Sequence, residues 1–241
     1  MERKFKFSLG EYYHIYNRGN DKRLIFLDDH DSRRFVLLLY LCNSMEPLDM
    51  RTYFNEGRSF VDLFSIARKR TFVDIGAYCL MPNHFHILVK EKIENGITKF
   101  IGKLLTAYSM YFNKRQQRTG SLFEGRFKAR HVDSDEYLKY LFSYIHLNPI
   151  KLIDKEWREN NIPDRIKAHK YLQEYPYSSH LDYHQIIVRK ETVILNKSAF
   201  PEYFLQPKEF DAFISDWLSI KESFLQTDLT SKKTKDRPSF V

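Results

Sequence analysis

The first patterned stretch, residues 12–17 (Tyr-Tyr-His-Ile-Tyr-Asn), is aromatic and β-branched and stops at Arg18-Gly19-Asn20-Asp21, so it predicts a strand followed by a turn. Capping residues from Asp28 then lead into an apolar run, which predicts a helix to about Cys42. Residues 43–71 mix polarities around Pro47 and Gly57 and read as an insertion, with a short helix expected near 60–67. Two strand-like runs, 72–80 and 84–90, flank Met81-Pro82-Asn83, whose Pro-Asn pair suits the tight turn of a β-hairpin. Helical spacing returns in Phe100, Ile101, Leu104, Leu105, Tyr108, Tyr111 and Phe112, and Gly120 ends that segment. Residues 122–132 supply a loop and a fourth strand, and Asp133 or Ser134 caps a further helix that runs to Leu147, before Asn148-Pro149.

The order βα-ββ-αβ-α predicts an α+β fold, a ferredoxin-like antiparallel sheet with helices on one face, plus the insertion and a C-terminal helical extension. The domain reading is a unit over 1–183 that includes the 43–71 insertion, an extension over 184–226 with a helix expected at 207–224, and a flexible tail over 227–241. Such a fold carries many functions, so function has to come from particular residues.

Composition narrows the classes. A hydrophobic content of 43% and a charged content of 29% are those of an ordinary globular chain rather than a disordered one. Cys42 and Cys79 lie in apolar runs without CxxC spacing, which argues against a disulfide framework or a zinc site and for buried thiols in a reducing cytoplasm. The longest uncharged stretches are too short, or too broken by Pro82 and histidines, to span a bilayer. The net charge is +8, and between Lys99 and His131 eight Lys or Arg face the single acid Glu124, an asymmetry that points to a polyanionic partner.

Candidate chemistry begins at His84-Phe85-His86. The strand period of two puts both imidazoles on one face, as half of a metal site. Tyr144 and Asn148, four residues apart on the last core helix, share a face, and an amide oxygen is a suitable ligand for a hard divalent cation. Core packing for Tyr144 and a helix-capping role for Asn148 satisfy the same spacing.

Three motifs in order, Met81-Pro82-Asn83-His84-Phe85-His86, Gly120-Ser121-Leu122-Phe123-Glu124-Gly125-Arg126-Phe127 and Tyr144-Ile145-His146-Leu147-Asn148-Pro149, resemble those of the single-tyrosine HUH transposases (IS200-like). The nearest branch is the REP-associated tyrosine transposases. The resemblance runs over about 12–183 and includes Tyr13-His14-Ile15-Tyr16-Asn17-Arg18-Gly19-Asn20 and Pro176-Tyr177-Ser178-Ser179. It implies that His84, His86 and Asn148 bind Mg²⁺ or Mn²⁺ and that Tyr144 is the nucleophile. The implied reaction cleaves and rejoins single-stranded hairpin DNA through a 5′-phosphotyrosine, in a monomer or homodimer. Arg18, Asn20, Arg126, Lys128 and Arg130 are the expected DNA contacts, and His146 and His131 are candidates to take the tyrosine proton. Phe123 and Glu124 stand where Trp and Gln are frequent in that branch, and the acid is expected to weaken phosphate contact locally. Two other readings share these features: a non-catalytic nucleic-acid-binding protein of ferredoxin-like fold, and a rolling-circle initiator or relaxase-like nickase.

Overall fold

The structure is a computed structural model that describes residues 6–47, 57, 59–157, 162–185, 188–202 and 206–219. Its core elements follow the expected order: β1 (Tyr12–Arg18), α1 (Asp29–Leu41), β2 (Val73–Met81), β3 (His84–Glu91), α2 (Gly96–Arg115), β4 (Lys128–Val132) and α3 (Asp135–Leu147). The strands form one sheet in the order β2-β3-β1-β4, and every neighbouring pair is antiparallel. This is the split βαβ arrangement of a ferredoxin-like α+β fold.

Local chemistry sets the helix ends. The Asp28 carboxylate accepts from the Asp31 N–H to start α1, and the Ser134 hydroxyl does the same for Tyr137 in α3. The buried carboxylate of Glu91 accepts from the N–H groups of Gly96 and Ile97 at 3.0 and 2.7 Å, so β3 itself caps the helix that follows it. The hairpin turn is pinned from outside: the Pro82 carbonyl accepts from Ile25 and Phe26, and the Asn83 carbonyl accepts from Gly19.

The expectation of helices on one face describes only the two crossover helices. Tyr13, Ile15, Phe85, Ile87 and Val89 point into a first core with Phe35 and Leu39 of α1 and Phe100 and Leu104 of α2. Ala77, Cys79, Met81 and Leu88 point the other way, into a second core with α3 and the C-terminal elements. The physical reason is that β2 is apolar on both faces and Leu88 of β3 extends its second one, so a one-sided cover would leave that surface in water. A register shift between Ile75 and Ala77 turns β2 over, and the ring of Phe200 lies where a Cβ on Gly76 would stand, 2.6 Å away.

Beyond Pro149 a 3-10 turn (Asn148–Leu152) leads to α4 (Arg165–Glu174), α5 (His180–His184) and α6 (Pro207–Ser219). Phe210, Ile214 and Leu218, at four-residue spacing on α6, are buried in the second core. The helix expected at 60–67 is a shorter 3-10 turn, Asp62–Ser65. The Asp62 carboxylate accepts from both the backbone and the hydroxyl of Ser59, a local pairing that competes with helix growth. Residues 220–224 of the expected last helix and the tail expected at 227–241 lie outside the described residues. Among the described residues no helix is long and apolar enough to cross a membrane.

Candidate active site

The site is built on the face of the sheet that meets α3. Directly opposed residues on neighbouring strands share a face, so the pairings His86 with Tyr16, His84 with Arg18, Tyr16 with Lys128 and His14 with Arg130 assign all of these residues to it. Phe85 and Ile87, one position off, go to the first core.

His84 and His86 lie as strand parity predicts, their ring centroids 5.0 Å apart and nearly perpendicular. The His84 Nδ1 donates to the Asn83 side-chain oxygen at 2.6 Å, which leaves the lone pair on Nε2. That Nε2 is buried and has no hydrogen-bond partner among the described residues. Burial, reinforced by the charges of Lys151 and Arg18, lowers the His84 pKa to about 4. His86 is buried, and its Nδ1 is 2.9 Å from Nε2 of His14. Burial, with Arg130 adding to it, lowers His14 to about 3.

Tyr144 comes from α3 and is buried with its ring edge-on to His86 at 5.2 Å and to His14 at 6.1 Å. Asn148, one turn on, is the C-cap of the same helix; Pro149 has no N–H to continue it. Its amide nitrogen donates to the Tyr144 carbonyl at 3.3 Å, and its Oδ1 is buried without a partner. The Asn148 side chain thus caps α3 through its nitrogen and leaves its oxygen over. His86 and His14 lie against the ring of Tyr144, His84 adjoins His86, and Asn148 bonds the Tyr144 carbonyl from the next turn.

This donor set fits a divalent cation. Two orphaned buried acceptors, His84 Nε2 and Asn148 Oδ1, are the atoms a metal would satisfy. Among the described residues no group of three or more His, Cys, Asp or Glu side chains is arranged to hold a metal. A neutral set of imidazole and amide leaves the ion's charge available to an anionic substrate.

The expected DNA contacts divide. Lys128 and Arg130 are exposed on the edge strand β4 beside Tyr16 and His14, and the Arg130 guanidinium lies 4.5 Å over the ring of Tyr137. Arg126 is exposed just after Gly125, whose φ of 65° makes the turn into β4. Asn20 donates to Asp21 in an exposed turn beyond β1. Arg18 is beside His84 and paired with Glu124.

Neither candidate base faces Tyr144. His131 is paired with Tyr13 in the sheet, on the opposite face, and bonds Glu11 at 2.8 Å. His146 is fully buried between the Phe142 carbonyl and the Ser179 hydroxyl, 2.9 and 2.8 Å away, in the second core. Tyr16 is the residue that sequence reasoning passed over: half-buried, opposite His86, with ring centroids 5.9 Å apart. Burial and then proximity to Tyr144 raise its pKa. Tyr108 and Tyr111 lie with α2 in the first core, across the sheet from the histidines.

Comparison with known proteins supplies the class. Residues 52–148 match the family model described as Transposase IS200 like, a span that contains both histidines and Tyr144 and ends on Asn148. The chain thus carries a region similar to the IS200-like transposases that its motifs resemble. A solved structure described as a REP-associated tyrosine transposase bound to a REP hairpin is 11% identical, covering 79% of this chain and 90% of that one, with a TM-score of 0.44. A candidate transposase from Deinococcus radiodurans R1 is 15% identical, covering 60% of this chain and 94% of that one, with a TM-score of 0.33. No curated protein matches.

Proposed function

We propose that this protein is a single-tyrosine transposase-like strand transferase that cuts and rejoins single-stranded, hairpin-bearing DNA in the cytoplasm. The observation that carries the reading is the placement of Tyr144 against His86 and one turn before Asn148, inside the matched span. Mg²⁺ or Mn²⁺ held by His84, His86 and Asn148 would polarise the scissile phosphate and stabilise charge on its oxygens.

The chain's own residues do the rest. Tyr144 is the nucleophile: its oxygen bonds to phosphorus, the P–O3′ bond breaks with its electron pair going to O3′, the phenol loses its proton and O3′ gains one. The products are a 5′-phosphotyrosine and a free 3′-OH, and attack of a 3′-OH on the phosphotyrosine rejoins strands with no other energy source. α3 buries the tyrosine ring so that its approach is set by packing. Asn83 and His14 fix the ring orientations of His84 and His86, as outer partners of metal-binding histidines do. Lys128 and Arg130 at the sheet edge, with Arg126 before them, follow the backbone of the strand.

Replacing both His84 and His86 with alanine tests the reading. The expected result is loss of divalent-metal-dependent nicking and of Mn²⁺ binding by calorimetry, with the circular dichroism spectrum retained. Undiminished cleavage by that variant in Mg²⁺ would overturn it.

A further inference from the structure

Arg18 and Glu124 form a closed pair that leaves one guanidinium nitrogen over. Two guanidinium nitrogens are engaged: Nε and Nη2 donate to the two carboxylate oxygens of Glu124, the second at 3.0 Å. The third, Nη1, is buried and has no partner among the described residues. A desolvated guanidinium N–H without an acceptor is unfavourable, and its presence in a folded protein calls for an explanation. Arg18 lies directly opposite His84 on the site face, and its charge is felt at that imidazole.

The pair is held rigidly. The Glu124 N–H donates to the Arg18 carbonyl at 2.9 Å, and Asn20 N–H donates to the Leu122 carbonyl at 2.9 Å, so the 122–124 segment is stitched to the end of β1. The side chain of Asn17 accepts from the Arg18 N–H at 2.9 Å and donates to the Gly125 carbonyl. The hydrogen bond from Arg18 draws the Glu124 carboxyl below its ordinary value, so the acid stays ionised and paired. An acid that merely repelled DNA would gain nothing from this arrangement. One that clamps the side of the guanidinium fixes the direction of the N–H groups left over.

We propose that Arg18 is a catalytic residue whose Nη1 donates to a non-bridging oxygen of the scissile phosphate, and that Glu124 is the positioning residue that aims it. This rests on the strand-transfer reading. It replaces the expectation that Glu124 weakens phosphate contact. The donor stabilises charge as the O3′ bond breaks and takes part in no proton transfer.

The test compares wild type, Glu124→Ala, Glu124→Gln and Arg18→Ala on one hairpin-bearing single-stranded oligonucleotide, by binding without metal and by single-turnover formation of the covalent adduct in Mn²⁺. Arg18→Ala should slow adduct formation by roughly 100-fold, the usual effect of removing one donor to a developing anion. Glu124→Ala should slow it by about 10-fold or more through misorientation. Binding by Glu124→Ala should stay within about threefold of wild type, and Glu124→Gln, which keeps an acceptor for Arg18, should recover most of the rate. Melting curves establish that each variant folds, and Glu124→Gln carries the test if the alanine variant does not. Adduct formation by Glu124→Ala at the wild-type rate, or tighter binding with a faster rate, would overturn the proposal while leaving the strand-transfer reading intact. Absence of any adduct from wild type would remove both.

Discussion

His14 bonds the second metal-ligand candidate from a strand 72 residues away in sequence, which is why no local pattern announced it. Strand parity made His84 and His86 legible as a pair, and helix periodicity did the same for Tyr144 and Asn148. The partners that orient them, His14 and Tyr16, depend on the β1–β3 register, which a single sequence does not encode locally. If His14 holds the His86 ring, His14→Phe should weaken Mn²⁺ binding by about 10- to 100-fold in calorimetry, and an unchanged affinity would remove it from the site. Buried histidines also set the acid response. His14 and His146 are lowered to about 3 and His84 to about 4, chiefly by burial. Below the ordinary value near 6.5 the unfolded chain takes up protons that the folded one refuses. Stability is therefore full above about pH 6.5 and lost progressively toward pH 4 to 3. The thermal unfolding midpoint should fall steadily from pH 7 to 4.5, and a constant midpoint would contradict the burial of these rings as neutral groups.

Among the elements, β4 carries the most direct functional reading. Its basic character was visible in the charge count, but its place was not: the sheet order puts Lys128 and Arg130 on the open edge beside Tyr16 and His14, across from β2. Exposed cations on an edge strand also discourage unwanted strand pairing, and that bland role predicts no effect on DNA. The two roles separate in a salt titration. Arg126→Ala combined with Lys128→Ala should weaken single-strand binding and reduce the log–log salt slope by about 0.7 for each phosphate that the variant no longer neutralises. An unaltered slope would place the strand elsewhere on the molecule. The 3-10 turn at Asp62–Ser65 and the elements after Pro149 were less legible, because short segments are decided by tertiary packing and local side-chain bonds rather than by periodicity.

At the scale of the whole molecule, a sheet covered on both sides separates support from chemistry. α1 and α2 fill the first core and contribute nothing to the histidine face, whereas α3 brings Tyr144 across the second face to His86. The element order and the ferredoxin-like plan were readable from hydrophobic pattern together with capping and turn residues such as Asp28, Pro82 and Ser134. The second layer was not, since a strand apolar on both faces does not say which helix will cover it. The C-terminal extension belongs to the same layer: Trp217 of α6 packs on Tyr140, 5.6 Å away, and Tyr140 on Tyr144, 6.1 Å away. In the proposed reaction Tyr144 makes the covalent bond, and Tyr16 is the neighbour that has to be distinguished from it. The deciding measurement incubates wild type, Tyr144→Phe and Tyr16→Phe with 5′-extended hairpin DNA and Mn²⁺, resolves protein–DNA adducts on a denaturing gel and maps the linked residue by mass spectrometry. An adduct on Tyr144 is expected in wild type and in Tyr16→Phe, and none in Tyr144→Phe although that variant still binds the DNA. An adduct formed by Tyr144→Phe, or cleavage by wild type with no adduct at all, would contradict that assignment.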